Sequence, residues 1–118
     1  MNERLSSGER IRRKRDFINL YKDGHRFRGR YFTLVYRSGP LGHSRLAVVV
    51  SKKVGPAVVR NRVKRRVRDI FRRTKGLIAE PTDIIVVTRK EILGLTPAEL
   101  RAGYVQALEA IRKRQASS

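Results

Sequence analysis

Residues 52–75, KKVGPAVVRNRVKRRVRDIFRRTK, carry eleven Lys or Arg in twenty-four positions against a single acid, Asp69. At 100° per residue this stretch separates into two faces. Val59, Val63, Val67, Ile70 and Phe71 fall on one side. Asn61, Lys64, Arg65, Arg68 and Arg72 fall on or near the other, with Arg62, Arg66 and Arg73 along a flank. A fold containing this segment must bury the first set and present the second to something strongly negative.

Three partners compete for that basic face. Water alone would suit a solvated helix, but such helices usually relieve their cations with acids at i,i+4, and here the like-charge pairs Lys64/Arg68, Arg62/Arg66 and Arg68/Arg72 stand instead. A lipid surface would suit a basic amphipathic helix. The apolar side here is dominated by Val and lacks Trp and Leu, which fits packing on a sheet better. Arginine outnumbers lysine seven to four in the stretch, favouring bidentate phosphate contacts and stacking on bases. Gly55-Pro56 before the helix exposes its N-terminus, itself suited to anions. Nucleic acid is the expected partner.

The whole chain supports that expectation. Its 118 residues suffice for one domain and one core, with short flexible tails expected at 1–8 and 115–118. Against 29 basic residues stand 10 acidic ones, a net charge of +19 that a polyanion would relieve. Residues 1–30 hold ten of the cations and residues 31–51 only Arg37 and Arg45; residues 76–118 are nearly balanced at six against five. The absence of cysteine excludes disulfides and thiolate metal sites. No apolar run approaches the roughly 18–20 residues of a membrane span, and the charged N-terminus lacks the apolar segment of a secretory signal. A cytoplasmic location follows by default.

Periodicity sketches the organisation. Ile11, Phe17, Ile18, Leu20 and Tyr21 suggest a helix over 11–22, ended near Gly24. Arg30–Arg37 alternates as a strand, Ser38–Gly42 is a turn, and Leu46–Ser51 is a second strand. The basic helix runs from Gly55-Pro56 to about Arg73, stopping near Gly76. DIIVVT at 83–88 reads as a buried strand. Thr96-Pro-Ala-Glu99 reads as a capping box opening a helix to about Arg114, with Leu100, Tyr104, Ala107, Leu108 and Ile111 as its apolar stripe. One sheet face carries Phe32, Leu34, Leu46, Val48 and Val50, heavy enough for a core. The other carries the lighter Thr33, Val35, Ala47, Val49 and Ser51, where a groove could remain if the first helix covers it incompletely.

Catalytic chemistry is not evident. His25 and His43 stand eighteen residues apart, each near a glycine, and read as exposed loop imidazoles. Asp16, Asp23, Asp69 and Asp83 are scattered rather than paired for a metal-dependent nuclease. No Ser-His-Asp, nucleophile-elbow, Walker or GxGxxG pattern is present. Phe17 reads first as a core aromatic, though the lighter sheet face beside it also suits a binding surface.

The run Ser51-Lys-Lys-Val-Gly-Pro-Ala-Val-Val-Arg-Asn-Arg-Val-Lys-Arg-Arg66 resembles the signature of the bacterial ribonuclease P protein subunit, with its Arg-Asn-Arg core at 60–62. Arg12-Arg-Lys-Arg-Asp-Phe17, Arg30-Tyr-Phe-Thr-Leu-Val35 and DIIVVTRK are similar to that family too, so the resemblance spans nearly the whole chain. It implies an α+β sandwich of order αβββαβα with about four strands, similar to a ribosomal-protein domain. It also implies a left-handed βαβ crossover through the basic helix, against the usual hand.

The function so implied is the protein component of a ribonucleoprotein endoribonuclease that removes 5′ leaders from precursor tRNA. The catalytic centre and its magnesium would lie in the RNA subunit, with no cofactor site, membrane or obligate protein partner for this chain. Lys52, Lys53, Arg60, Asn61, Arg62, Lys64, Arg65 and Arg68 would contact the catalytic RNA, Asn61 alternatively bonding nearby backbone. Phe17, Tyr21, Val35, Val49 and Ser51 would line the leader cleft; some relatives carry an aromatic where this chain has Val35. The rivals are a ribosomal-type RNA binder on the same fold, a protein-only nuclease and a DNA-binding module. The scarcity of acids and histidines counts against the second. The lack of a helix-turn-helix pattern counts against the third.

Overall fold

The segments richest in β-branched and aromatic residues form the middle of a four-stranded sheet, as their propensity dictates. The computed structural model describes residues 7–39, 41–78 and 80–117. In order, the elements are α1 (Lys14–Asp23), β1 (His25–Arg28), β2 (Phe32–Ser38), β3 (Arg45–Val49), α2 (Ala57–Thr74), β4 (Thr82–Thr88) and α3 (Pro97–Ser117). The sheet order is β1-β2-β4-β3. β1–β2 and β2–β4 are antiparallel, whereas β3 and β4 are parallel. The basic helix α2 joins that parallel pair, so it is the crossover of an α+β fold in the expected αβββαβα order.

Register explains how two faces arise. Leu34, Val86 and Val48 share one row across β2, β4 and β3, and Tyr36, Ile84 and Leu46 share the next. Together with Phe32 they pack against Val63, Val67 and Phe71 of α2 and Leu100, Tyr104 and Leu108 of α3, forming the main core. Burying each large apolar side chain is worth about 1.5–3 kcal/mol. Each like-charge i,i+4 pair on α2 costs only a few tenths of a kcal/mol. Burial therefore wins, and α2 forms despite its cations. On the other face Leu20 of α1 packs on Val35 and Ile85, with Ile11, Phe17, Ala47, Val49 and Val87 partly buried around them.

Most boundaries match the apolar pattern, and the exceptions have local causes. Ile11 extends along the free edge of β3, where its N–H donates to Leu46 O at 3.0 Å and Arg10 bridges Leu46. The helix therefore starts at Lys14 rather than at 11. β1 is a further strand at the opposite edge, and His25 lies on it, exposed, 5.6 Å from the Tyr36 ring, rather than in a loop. His43 is exposed near a turn and contacts Gly8 O at 2.6 Å. A 3-10 turn at Lys90–Gly94, unmarked by periodicity, buries Ile92.

The capping box of α3 is formed. Thr96 N–H donates to Glu99 Oε1 at 2.9 Å and Glu99 N–H donates to Thr96 Oγ1 at 3.2 Å, which holds the Glu99 carboxyl below its usual range. All five residues of the α3 stripe are buried. The expected tail at 115–118 is helical as far as Ser117, and Gln115 Nε2 donates to Thr82 Oγ1 at 3.0 Å. At the other end, Ser7–Glu9 forms a 3-10 turn. Residues 1–6, Pro40 of the expected turn and Ser118 lie outside the described residues.

Candidate RNA-binding surfaces

The first surface is the outer side of α2. Its inner side is fixed by Val63, Val67, Ile70, Phe71 and Thr74, all buried. That rotation leaves Asn61, Arg62 and Arg65 exposed, and Arg60, Lys64 and Arg68 half-buried. Lys52 and Lys53 are exposed in the turn leading into the helix, which Val54 N–H closes on Ser51 O at 3.1 Å. Gly55 follows because a Cβ there would stand 3.1 Å from Val59 Cγ1. Pro56 caps the helix without a side-chain hydrogen bond, and no acid occupies the first turn. The N-terminal amides thus keep their affinity for anions.

The single acid of α2 does not neutralise this surface. Asp69 Oδ1 accepts from Arg72 at 3.1 Å and from Arg73 at 3.2 Å, both in the last turns. Arg60 through Arg68 enter no ion pair among the described residues. Burial, and then the charge of Arg10, hold the Arg68 guanidinium below its usual pKa. Arg10 reaches it because its segment pairs with the edge of β3. That cation escaped the apolar pattern; only the N-terminal excess of charge hinted at it.

The second surface lies on the opposite face of the sheet. Two side-chain rows cross it: Ala47, Ile85, Val35 and Arg26, then Val49, Val87, Thr33 and Arg28. Leu20 of α1 caps the first row. At its C-terminus α1 descends so far that a Cβ on Gly24 would meet Leu20 O at 2.6 Å and Val35 Cγ1 at 2.9 Å. Only glycine fits there. The second row remains open, and a groove of 230 Å³ runs beside it.

Of the five expected groove residues, Tyr21 and Val35 line this groove, Phe17 and Val49 pack around Leu20 and Val35, and Ser51 lies beyond the end of β3. Phe17 is half-buried and stacks on Tyr21, ring centroids 6.1 Å apart and planes 12° apart. Tyr21 is 46 % exposed, a usable aromatic surface. Val49 is half-buried at the β3 end, and Ser51 is exposed just beyond it. Val35 differs. At 1 % exposure it supports the floor beneath α1 and offers almost no surface of its own. Apolar periodicity missed Arg26, Arg28 and Arg89, which line the groove with Tyr21 and Thr33. The signal available was the charge of HRFR and of TRK after the buried strand, both outside any apolar stripe.

Asp16 and Asp83 are engaged by one arginine away from the groove. Arg45 donates to Asp83 at 3.0 and 2.6 Å and to Asp16 at 3.2 Å, tying α1 to the sheet. Its pKa is raised, chiefly by the Asp83 hydrogen bond working against burial. Among the described residues no three His, Cys, Asp or Glu side chains gather to hold a metal ion. Nor, among them, is any helix long and apolar enough to cross a membrane.

Two cation-rich surfaces on opposite faces of this sheet agree with the family suggested by the Arg-Asn-Arg helix. The ribonuclease P family model matches residues 5–112. The chain belongs to the ribonuclease P protein family. It is 44 % identical over 92 residues to the ribonuclease P protein component of Thermotoga maritima, covering 78 % of this chain and 79 % of that one. The solved ribonuclease P protein of T. maritima superposes with a TM-score of 0.78 at 38 % identity, over 86 % of this chain and 96 % of that one. The Staphylococcus aureus ribonuclease P protein superposes at 0.80 and 33 % identity, over 88 % and 95 %.

Proposed function

We propose that this chain is the protein component of a cytoplasmic ribonuclease P ribonucleoprotein that removes 5′ leaders from precursor tRNA. The outer side of α2, with Lys52 and Lys53, binds the catalytic RNA. The groove between α1 and the open sheet row holds the single-stranded leader, with Phe17, Tyr21, Val49 and Ser51 along it. Cleavage, with its magnesium ions, is assigned to the RNA. The observation that carries this reading is the placement of two unneutralised cationic surfaces back to back across one sheet, so that two RNA segments can be held at once.

The role of the chain is then electrostatic and positional. It neutralises phosphates of both RNAs and distinguishes precursor from mature tRNA by the leader. Each phosphate neutralised contributes about 0.7–0.9 to the slope of log affinity against log salt. Binding to the catalytic RNA should therefore weaken steeply with salt; a nearly flat dependence would refute the α2 surface.

The direct test is precursor-tRNA cleavage at low magnesium by the cognate catalytic RNA, with and without this protein. Wild-type protein should rescue cleavage, protein alone should be inert, and R60A/R62A/R65A should lose rescue. Failure of rescue with folded components would favour a ribosomal-type RNA binder. Cleavage by protein alone would overturn the assignment of chemistry to the RNA.

A further inference from the structure

The far end of the groove, on β1, carries a group of cations to which the leader reading has given no individual roles. Arg26 pairs with Val35 and Arg28 with Thr33, so both belong to the side-chain rows of the groove face. Arg89 follows β4 and is fixed in place: its guanidinium donates to Thr33 Oγ1 at 2.8 Å and to the Gly29 and Phe32 carbonyl oxygens. All three acceptors are neutral, so its charge remains uncompensated. Arg26 donates to Tyr21 O at 2.6 Å and lies 5.1 Å over the Tyr21 ring, again without meeting a carboxylate. None of the three arginines enters an ion pair among the described residues. Among the described residues no acid lines the groove.

Three guanidinium groups held together without a counter-charge repel one another, and a phosphate relieves that repulsion. Arg28 and Arg26 are both exposed, Arg26 held against Tyr21, while Arg89 is pre-ordered by Thr33 and two backbone carbonyls. Guanidinium groups match phosphate oxygens in bidentate geometry. We propose that Arg26 and Arg28, backed by Arg89, form a phosphate-binding site for the 5′-distal backbone of the leader. This inference rests on the leader reading of the groove and extends it.

The path follows from register. The open row runs Val49, Val87, Thr33, Arg28 from β3 to β1. Its three interstrand steps span about 14 Å. The β3 end adjoins Ser51, Lys52 and the start of α2, the surface assigned to the catalytic RNA. A leader leaving that side crosses β3, β4 and β2 before it meets β1. The arginines therefore grip its backbone farthest from the cleavage point, without regard to base identity.

The experiment uses holoenzyme reconstituted with the cognate catalytic RNA and a series of precursor tRNAs whose leaders lengthen one nucleotide at a time. R26Q/R28Q is compared with wild type and with F17A. Wild-type affinity should rise in steps, and the gap to R26Q/R28Q should widen with leader length to about tenfold. The salt slope for long leaders should drop by about 1.4 in the double variant, for two lost phosphate contacts. Changing the base at the distal positions should leave the gap intact. A gap that is absent, or the same at every length, overturns the site while F17A still impairs leader binding. A gap that depends on base identity overturns the phosphate assignment. If F17A also binds long and short leaders as wild type does, the leader reading of the groove has failed, and the β1 site with it.

Discussion

The α2–α3 face and the α1 face of the sheet are built on the same strands, yet they are finished in opposite ways. On the first, two long helices bury side chains from Phe32 to Ile111 in one continuous cluster. On the second, one ten-residue helix buries only Leu20, Val35 and Ile85 fully and leaves an open, arginine-rimmed row beside it. Stability is concentrated on one side, which frees the other to keep an open groove. An enclosed core and an open binding face need different side chains, and alternation along β2 and β4 supplies both from one strand.

Matched truncations on the two faces are the strongest way to break that comparison. Phe71 is fully buried among the helices, whereas Phe17 is half-buried on α1. Phe71→Ala should cost about 3–5 kcal/mol, a large part of the total stability of a domain this size. Phe17→Ala should cost far less and act on precursor binding instead. Urea unfolding midpoints of the two variants decide the matter. Equal losses would mean that the α1 face is core and not a binding surface.

Arg45 offers a smaller and more local test, because it ties α1 to the sheet on the groove face alone. It is 12 % exposed and grips the nearly buried Asp83 on β4 while reaching Asp16 on α1. Replacing it by Met strands a buried carboxylate, a change that costs about 3 kcal/mol in comparable pairs. The α1 amides should lose more hydrogen-exchange protection than those of α2. Adding Asp83→Asn should recover part of the loss. Protection falling evenly over both helices would show that Arg45 serves the whole domain rather than the seating of α1.

How much of this was legible in the sequence differs between the faces for a physical reason. The packed face follows apolar periodicity, so the α2 stripe, the α3 stripe and the capping box at Thr96 and Glu99 could be read directly. The outward-facing cations of α2 followed as its complement. The groove depends on pairing instead. β1 is HRFR, a strand held by hydrogen bonds to β2 with only Phe27 partly buried, and no apolar alternation marks it. Arg26, Arg28 and Arg89 meet only because three strands bring them into neighbouring rows. Val35 illustrates the converse: its face was correctly inferred, but the depth to which Gly24 lets α1 descend onto it depends on backbone approach. Arg10 likewise reaches Arg68 only through an edge bridge to Leu46.

The smallest predicted effect probes a polar flaw in the core of the packed face. Tyr104 packs edge-on against Phe32, ring centroids 6.2 Å apart, and its hydroxyl is buried with no hydrogen-bond partner among the described residues. Burial raises its pKa well above that of an ordinary phenol. An unsatisfied buried polar group costs about 1–3 kcal/mol, so Tyr104→Phe should be neutral or stabilise by about 1 kcal/mol at pH 7. The sign reverses nothing at high pH. An acid whose folded pKa is raised keeps its contribution below the unfolded pKa and loses it as pH climbs toward the folded one. Unfolded tyrosine ionises near pH 10. Above that pH the wild type should lose stability that Tyr104→Phe keeps, and the gap between their urea midpoints should widen. A variant less stable than wild type at pH 7 would mean that the hydroxyl is satisfied in solution, and that the α2–α3 face holds a polar tie that its apolar packing conceals.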